Sequence, residues 1–542
     1  MAKPRSEPQL RLDSAAVYDD MGGIPPDHWC YTFYSDVYCA IDEQEFEGLY
    51  QEGGRKPISP RRLACLILLQ YKAGLSDRQA LDSAMMRRDW RIALGIPADW
   101  EGFNPTVLVD FRKRLRGEPV REGQPEPEDK DGAQRVFDMV LERARVLGVL
   151  PQTTKVRVDA SHVLAHVSRL SRVDMVREAI RVVVCDAYRH HPSLRECSEF
   201  MELHERYWEE RWLGTGNAKQ AEEELVSLGL AGRALLDLCG ALEVKGKDVL
   251  AQILEENFVW AEDTSPEPLP AKDRPQDRIV SPHDPDARSG KKRDMVWTGD
   301  KAHVLETAAD DAQNLIVGVL CTGPRVEDGQ MLPEIMGRAR EVLPDVDTII
   351  ADSGYASAQN SKRAASDQIE LVAPPRPDSS TNGIRASEFE IDCARQVARC
   401  PEGKESRVWS EKEDEITIRF SPTDCRACPR REECTKSKQG RTLGLHKEHE
   451  QLARDRRRAQ EPEFKDLYRR RAAIEGTFSH LVHTAGFRRS RYRSAAGRAL
   501  HATLSCAALN MWRVVSCVTG RENGPKRAQC GTRMPVGTPV GA

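Results

Sequence analysis

Residues 464–498 read FKDLYRRRAAIEGTFSHLVHTAGFRRSRYRSAAGR. Written as a helix, this stretch sets Tyr468, Arg471 and Glu475 at successive offsets of three and four, so all three share one face about a turn apart. One carboxylate therefore lies in a basic neighbourhood. Residues 454–498 hold thirteen Lys and Arg against five Asp and Glu, in a chain whose formal net charge is −4. Such an asymmetry points to a polyanionic partner. Standing alone, Glu475 reads as half of an ordinary surface ion pair, which contributes little. Its meaning depends on whether other acids come to it.

A chain of 542 residues is too long for one core, and two to four domains are expected. A charged fraction of 31% beside 39% hydrophobic residues describes a soluble globular protein. The longest apolar runs, residues 63–69 and 504–509, are far too short to cross a bilayer. No basic, apolar, small-residue leader opens the sequence, so export is not expected. The fifteen cysteines are odd in number and mostly scattered, which fits a reducing cytoplasm better than a disulfide framework.

Residues 1–56 carry aromatic and acidic side chains (Trp29, Tyr31, Phe33, Tyr34, Tyr38) with no clear period and no assignable chemistry. Residues 57–116 read as a helical domain. Ser59-Pro60 offers an N-cap with proline behind it, Leu63, Leu66 and Ile67 mark an apolar face, Ser76 to Gln79 form a capping box, and Asn104-Pro105 opens a third helix. An acidic, proline-rich linker follows at 117–132. Residues 133–167 hold a helix over 134–147 and an alternating strand over 155–159 that ends on Asp159. Residues 168–292 are a helical insertion closed by a Pro/Asp-rich connector. From 293 to 375 come three strands separated by two turns (295–298, 303–307, 315–321), a helix over 332–342, a strand ending on Asp352, and a strand over 369–374. Gly354 allows a sharp exit after Asp352. Residues 376–460 form a cysteine-containing insertion and 461–518 the C-terminal helices, the last burying Leu500, Leu504, Ala507, Ala508 and Met511. Residues 519–542 read as a disordered tail.

Three ordered motifs, GDKAHVLET (299–307), DSGY (352–355) and YRRRAAIEG (468–476), lie behind the module PISPRRLACLILLQYKAGLSDRQAL. Together they resemble DDE-type insertion-sequence transposases, the insertion sequence 1182 group in particular and the 4 and 5 groups more loosely, over about residues 55–512. The resemblance implies a multidomain α+β protein with an RNase H-like mixed-sheet core, its first and fourth strands side by side under a later helix. It implies a bacterial, cytoplasmic, nucleoid-associated enzyme that binds the ends of its insertion sequence and catalyses strand cleavage and transfer. Double-stranded DNA, both element ends and target, would be its partner, with a homodimer or higher oligomer on DNA and no membrane.

The implied catalytic set is Asp159, Asp352 and Glu475 holding two Mg2+ (or Mn2+) ions, with Asp159 shared between them. Two hard ions a few ångströms apart can both activate water and stabilise a leaving 3′ oxygen, and they favour oxygen ligands. Tyr468 and Arg471 would handle the scissile phosphate. The InsH-like N-terminal domain implies DNA binding or protomer pairing, with Arg61, Arg62, Arg112, Lys113, Arg114 and Arg116 to contact phosphates; a helical bundle with no DNA role is the other reading of the same residues. One departure stands out: relatives with the longer motif place Lys or Arg seven residues past the Glu, where this chain has Val482. Arg488, Arg489, Arg491 or Arg493 would serve instead, with His483 a further choice.

Cys400, Cys425, Cys428 and Cys434 have structural zinc spacing around one C-x2-C pair. Cys393 competes as a ligand, and free thiols are the other reading. Two rival functions stand beside the transposase: a DNA-binding protein of transposase descent that does not cut, and a metal-dependent nuclease that cuts without joining.

Overall fold

Ser59 accepts the Arg62 N–H and Pro60 starts α1 (Pro60–Ala73), which ends at Gly74 in the left-handed region. Ser76 and Gln79 cap each other's backbone to open α2 (Asp77–Met86). Asn104 Oδ1 accepts the Thr106 N–H at 3.0 Å ahead of α3 (Thr106–Leu115). These local signals act as their chemistry requires. The computed structural model describes residues 24–50, 58–97, 99–121, 127, 131–167, 170–209, 217–260, 265–292, 294–376, 383–413 and 415–520. Of the expected tail (519–542), residues 521–542 lie outside them, as does half of the expected linker (122–126 and 128–130); Thr519 instead ends the last helix.

Residues 24–50 are short helical turns whose Trp29, Phe33, Tyr34, Phe46 and Leu49 are buried with α1. Two of the arginines expected to meet DNA are internal. Arg62 is 4% exposed and donates to the carbonyls of Leu94 and Gly95. Arg112 is 3% exposed, with Nη1 2.9 Å from Asp77 Oδ2 and Nη2 2.8 Å from Gln70 Oε1. Both therefore hold helices together rather than present charge, because a buried guanidinium must be paired.

After α4 (Gly132–Val146) comes a six-stranded mixed sheet. Its strands are β1 (Lys155–Leu164), β2 (Arg288–Lys292), β3 (Met295–Thr307), β4 (Ile316–Thr322), β5 (Thr348–Ile350) and β6 (Glu370–Val372). β3 pairs antiparallel with β2 and β4 along one edge and with β1 along the other. β1 then pairs parallel with β5, and β5 parallel with β6. The two acid-bearing segments are thus neighbours.

Two sequence expectations change here. The predicted turn at Gly299-Asp300-Lys301 is part of a single strand of thirteen residues. Gly299 sits at φ +141° against β1, where a Cβ would come within 2.1 Å of the Val163 carbonyl, so glycine marks a close approach of strands and not a turn. Asp159 is not at a strand end but in the middle of β1, opposite Val304. Pairing with β5 stops at Arg157 and that edge is bridged again only at Leu164, by Arg489, so β1 passes Asp159 with the edge open there.

Between β1 and β2 the helices α5 (Arg172–His190), α6 (Ser198–Tyr207), α7 (Ala218–Cys239) and α8 (Lys247–Glu255) enclose a core of their own. The connector behind them is tied down by Arg498, fully buried between Asp284 and Asp300. α9 (Leu332–Val342) and α10 (Ala358–Ser366) flank β5 and β6 in the chain. Next comes a small sheet of β7 (Ser406–Glu411), β8 (Glu415–Phe420) and β9 (Thr442–His446) with a separate core.

The chain ends in α11 (His449–Arg458), α12 (Pro462–Arg469), α13 (Ala473–Ala485) and α14 (Ala495–Thr519). α14 buries far more than the one face expected: Arg498, His501, Ser505 and Asn510 are interior alongside the apolar residues. Asn510 Nδ2 donates to the Ile316 carbonyl at 2.6 Å and its Oδ1 accepts the Ile316 N–H at 2.9 Å. A polar side chain thereby closes the outer edge of β4, which a solvent-facing strand would leave unpaired. One continuous core runs from residues 24–50 through α1, the sheet, α13 and α14.

Candidate active site

The stretch expected as one helix is α12 and α13 joined by a 3-10 turn at Arg470–Ala472. Backbone angles stay helical through it, so Tyr468, Arg471 and Glu475 keep a common side. α12 is seated by Phe464, which packs with Ala308, Ile350 and Val372 at the ends of β3, β5 and β6. α13 is seated by Ile474, Phe478 and Leu481. Glu475, on the opposite face, is 70% exposed.

Arg471 joins the acids. Its Nη2 lies 2.7 Å from Asp159 Oδ2 and its Nη1 3.5 Å from Glu475 Oε1, and Arg471 and Asp159 are each only 17% exposed. The other Asp159 oxygen accepts the Ala160 N–H at 2.8 Å. Burial pushes the Asp159 carboxyl above its ordinary value. Arg471 and the Ala160 N–H oppose that shift, Asp352 adds to it by like charge, and Lys292 opposes it. Asp159 and Asp352 therefore act on each other across the open edge of β1.

Asp352 lies two residues past β5, and its Oδ1 accepts the Gly354 N–H at 2.8 Å. A Cβ on Gly354 would meet Asp352 Oδ1 at 2.9 Å and Asp328 Oδ2 at 3.2 Å. Glycine here leaves room for two carboxylates side by side. Asp328 is held by Lys301 Nζ at 2.6 Å. Burial raises the Tyr468 hydroxyl; Arg471 opposes this, while Asp352, Asp159 and Glu475 add to it. Every expected catalytic and phosphate-handling residue of this set is thus in one neighbourhood. Among the described residues no group of three or more His, Cys, Asp or Glu is spaced to hold a metal ion as the side chains stand.

The arginines past α13 divide. Arg488 Nε donates to Ser161 Oγ on β1 at 3.2 Å, and Arg489 forms a parallel bridge to Leu164. Arg491 Nη1 donates to the Leu75 carbonyl at 2.7 Å, tying this segment to the loop after α1. Arg488, Arg489, Arg491 and Arg493 are all exposed. Val482 packs against the main core, so the segment after Gly486 carries the positive charge.

Sequence reading missed the partners of the GDKAHVLET motif. His303 is fully buried, with Nδ1 2.7 Å from the Tyr355 hydroxyl and Nε2 3.2 Å from Thr322 Oγ1; burial lowers it to about 4, so it is neutral. Lys301 and His303 thereby lock β3 onto the segments bearing Asp328 and the DSGY motif. Glu306 is fully buried and accepts from Arg157 at 2.7 Å, Thr477 Oγ1 at 2.5 Å and Arg513 at 2.7 Å. An acid within the apolar run Val304-Leu305-Glu306 was the available signal, since a buried carboxylate requires cations.

Among the described residues no helix is long and apolar enough to cross a membrane. No curated protein and no solved structure matches the chain. Residues 399–515 match the family model described as Transposase DDE domain, a span that includes Glu475 but neither aspartate, and residues 23–114 match the one described as Transposase domain (DUF772). Two transposase matches at separate places in one chain support a DDE-type transposase.

Proposed function

We propose that this protein binds the ends of its own insertion sequence and catalyses metal-dependent DNA strand cleavage and transfer at Asp159, Asp352 and Glu475. The observation that carries the reading is the Arg471 guanidinium set between Asp159 and Glu475, with Asp352 close enough to raise Asp159. The strand order, β1 between antiparallel β3 and parallel β5, with α13 behind the acids, supports an RNase H-like core.

The donor set suits Mg2+ or Mn2+: three hard carboxylates drawn from a strand, a strand exit and a helix, in a region where burial makes bare negative charge costly. Asp159, Asp352 and Glu475 would hold two such ions, which supply an activated water and stabilise the departing 3′ oxygen. Arg471 keeps the acids together and offers its fork of donors to the scissile phosphate, for which guanidinium geometry is suited. Tyr468 adds a hydroxyl from the preceding turn. The exposed arginines after Gly486 meet the DNA backbone and orient the duplex without reading sequence. A protomer on each end would make the active form a dimer or larger.

The test uses DNA from the two flanks of the coding sequence, a supercoiled target plasmid and Mg2+. Joined products are expected. Cleavage without joining would favour the nuclease, and binding without cleavage a protein that no longer cuts.

A further inference from the structure

Residues 383–446 enclose an apolar core that is small for a unit of their length. Their core is eight buried side chains, of which Phe389 and Phe420 are the largest, and it is separate from the core of the main sheet. Small units with so little core are usually stapled by disulfides or a metal. The cysteines here form no disulfide.

Cys400, Cys425 and Cys434 all pack against that one core. Cys400 opens a tight turn. Its N–H donates to the Lys404 carbonyl at 2.8 Å, its carbonyl accepts the Gly403 N–H at 2.8 Å, and the Lys404 N–H points at its sulfur at 3.4 Å. Gly403 sits at φ +75° to allow this. Across the core, the Arg441 N–H points at the Cys425 sulfur, also at 3.4 Å. A backbone N–H aimed at each of these two sulfurs fixes its position and would support it as a ligand. Cys428 completes the C-x2-C pair after the short helix Pro422–Arg426, and Cys434 ends the short helix Arg431–Cys434.

Electrostatics separates the four from their competitor. The ionisable groups that act on Cys434 are Arg441, Cys425, Cys428 and Cys400. Cys393 instead responds to burial and to Glu450, Glu411 and Asp392. It belongs to a different, acidic neighbourhood.

We propose that Cys400, Cys425, Cys428 and Cys434 form a structural zinc site that staples the β7–β9 module. As the side chains stand, no three of them are spaced to hold an ion. Binding would draw the four sulfurs into a tetrahedral shell, and each thiol would pass its proton to water as the metal binds. Arg441, whose Nη1 donates to the Cys434 carbonyl at 3.0 Å, would offset part of the negative charge of the shell. None of this depends on the catalytic reading.

The full chain, purified without chelator, should carry about one zinc per molecule by elemental analysis. Its cobalt-substituted form should show the visible bands and sulfur-to-metal charge transfer of a tetrahedral thiolate site. Cys425→Ser and Cys434→Ser should lose the metal, while Cys393→Ser keeps it. Protein without zinc and without the cobalt spectrum would overturn the proposal even if the Cys425 and Cys434 variants misfold. So would loss of the metal from Cys393→Ser alone.

Discussion

Two carboxylate clusters lie around α13, and they are built on opposite principles. Glu306 is fully buried and saturated: two arginines and a threonine hydroxyl cover both of its oxygens. Asp159, on the adjacent strand, shares one arginine with Glu475 and takes one backbone N–H, and its carboxyl is raised. Glu475 itself is mostly in solvent. The first arrangement holds α13 and α14 to the sheet. The second leaves negative charge undercompensated where a cation and a phosphate would meet it. Paired charge builds the scaffold; underpaired charge is what the proposed chemistry would use.

Breaking the saturated cluster should have the largest effect on stability. Glu306→Ala leaves Arg157 and Arg513 buried beside each other without their anion, and should cost about 3–5 kcal/mol. Chemical denaturation would measure it. A variant as stable as the parent would mean that the Glu306 cluster does not hold the fold.

Whether a charge is saturated was the part least legible in the sequence. Caps at Ser59 and Ser76 were readable because a cap is made within four residues. The strand with Asp352 and the helix over 332–342 were readable from their apolar runs and punctuation. The extent of β1 and β3 was not. Gly299 has the composition of a turn, and only the passing of β1 within contact of it makes it a mid-strand position. Arg62 and Arg112 look like surface charge until Asp77, Gln70 and the 94–95 carbonyls surround them. Within the site, helical spacing linked Tyr468, Arg471 and Glu475. The pairing of Arg471 with Asp159 spans 312 positions and has no local signal.

A smaller effect should appear with pH, once on each side of the comparison. His303, beside the DSGY motif, and His501, in α14, are both buried, and burial lowers each from 6.5 to about 4. The unfolded chain takes up these protons near pH 6.5, whereas the folded chain resists until about 4. Stability should therefore be full above 6.5 and fall as the pH drops through that window, by up to roughly 3 kcal/mol for each histidine. Denaturation midpoints between pH 7 and 4 should show this slope, and His501→Phe should remove about one proton's worth of it. A flat profile would mean that neither histidine is held neutral.

The underpaired cluster is tested most directly by Asp352→Asn. This variant keeps the shape of the side chain and its turn to Gly354, and removes only the charge. Folding and DNA binding should stay near the parent's, while Mg2+-dependent cleavage of the element's ends falls at least about a hundredfold, since loss of even indirect support for a metal costs tenfold to a hundredfold. A variant that folds, binds and still cleaves at the parent's rate would contradict the assignment of catalysis to Asp159, Asp352 and Glu475.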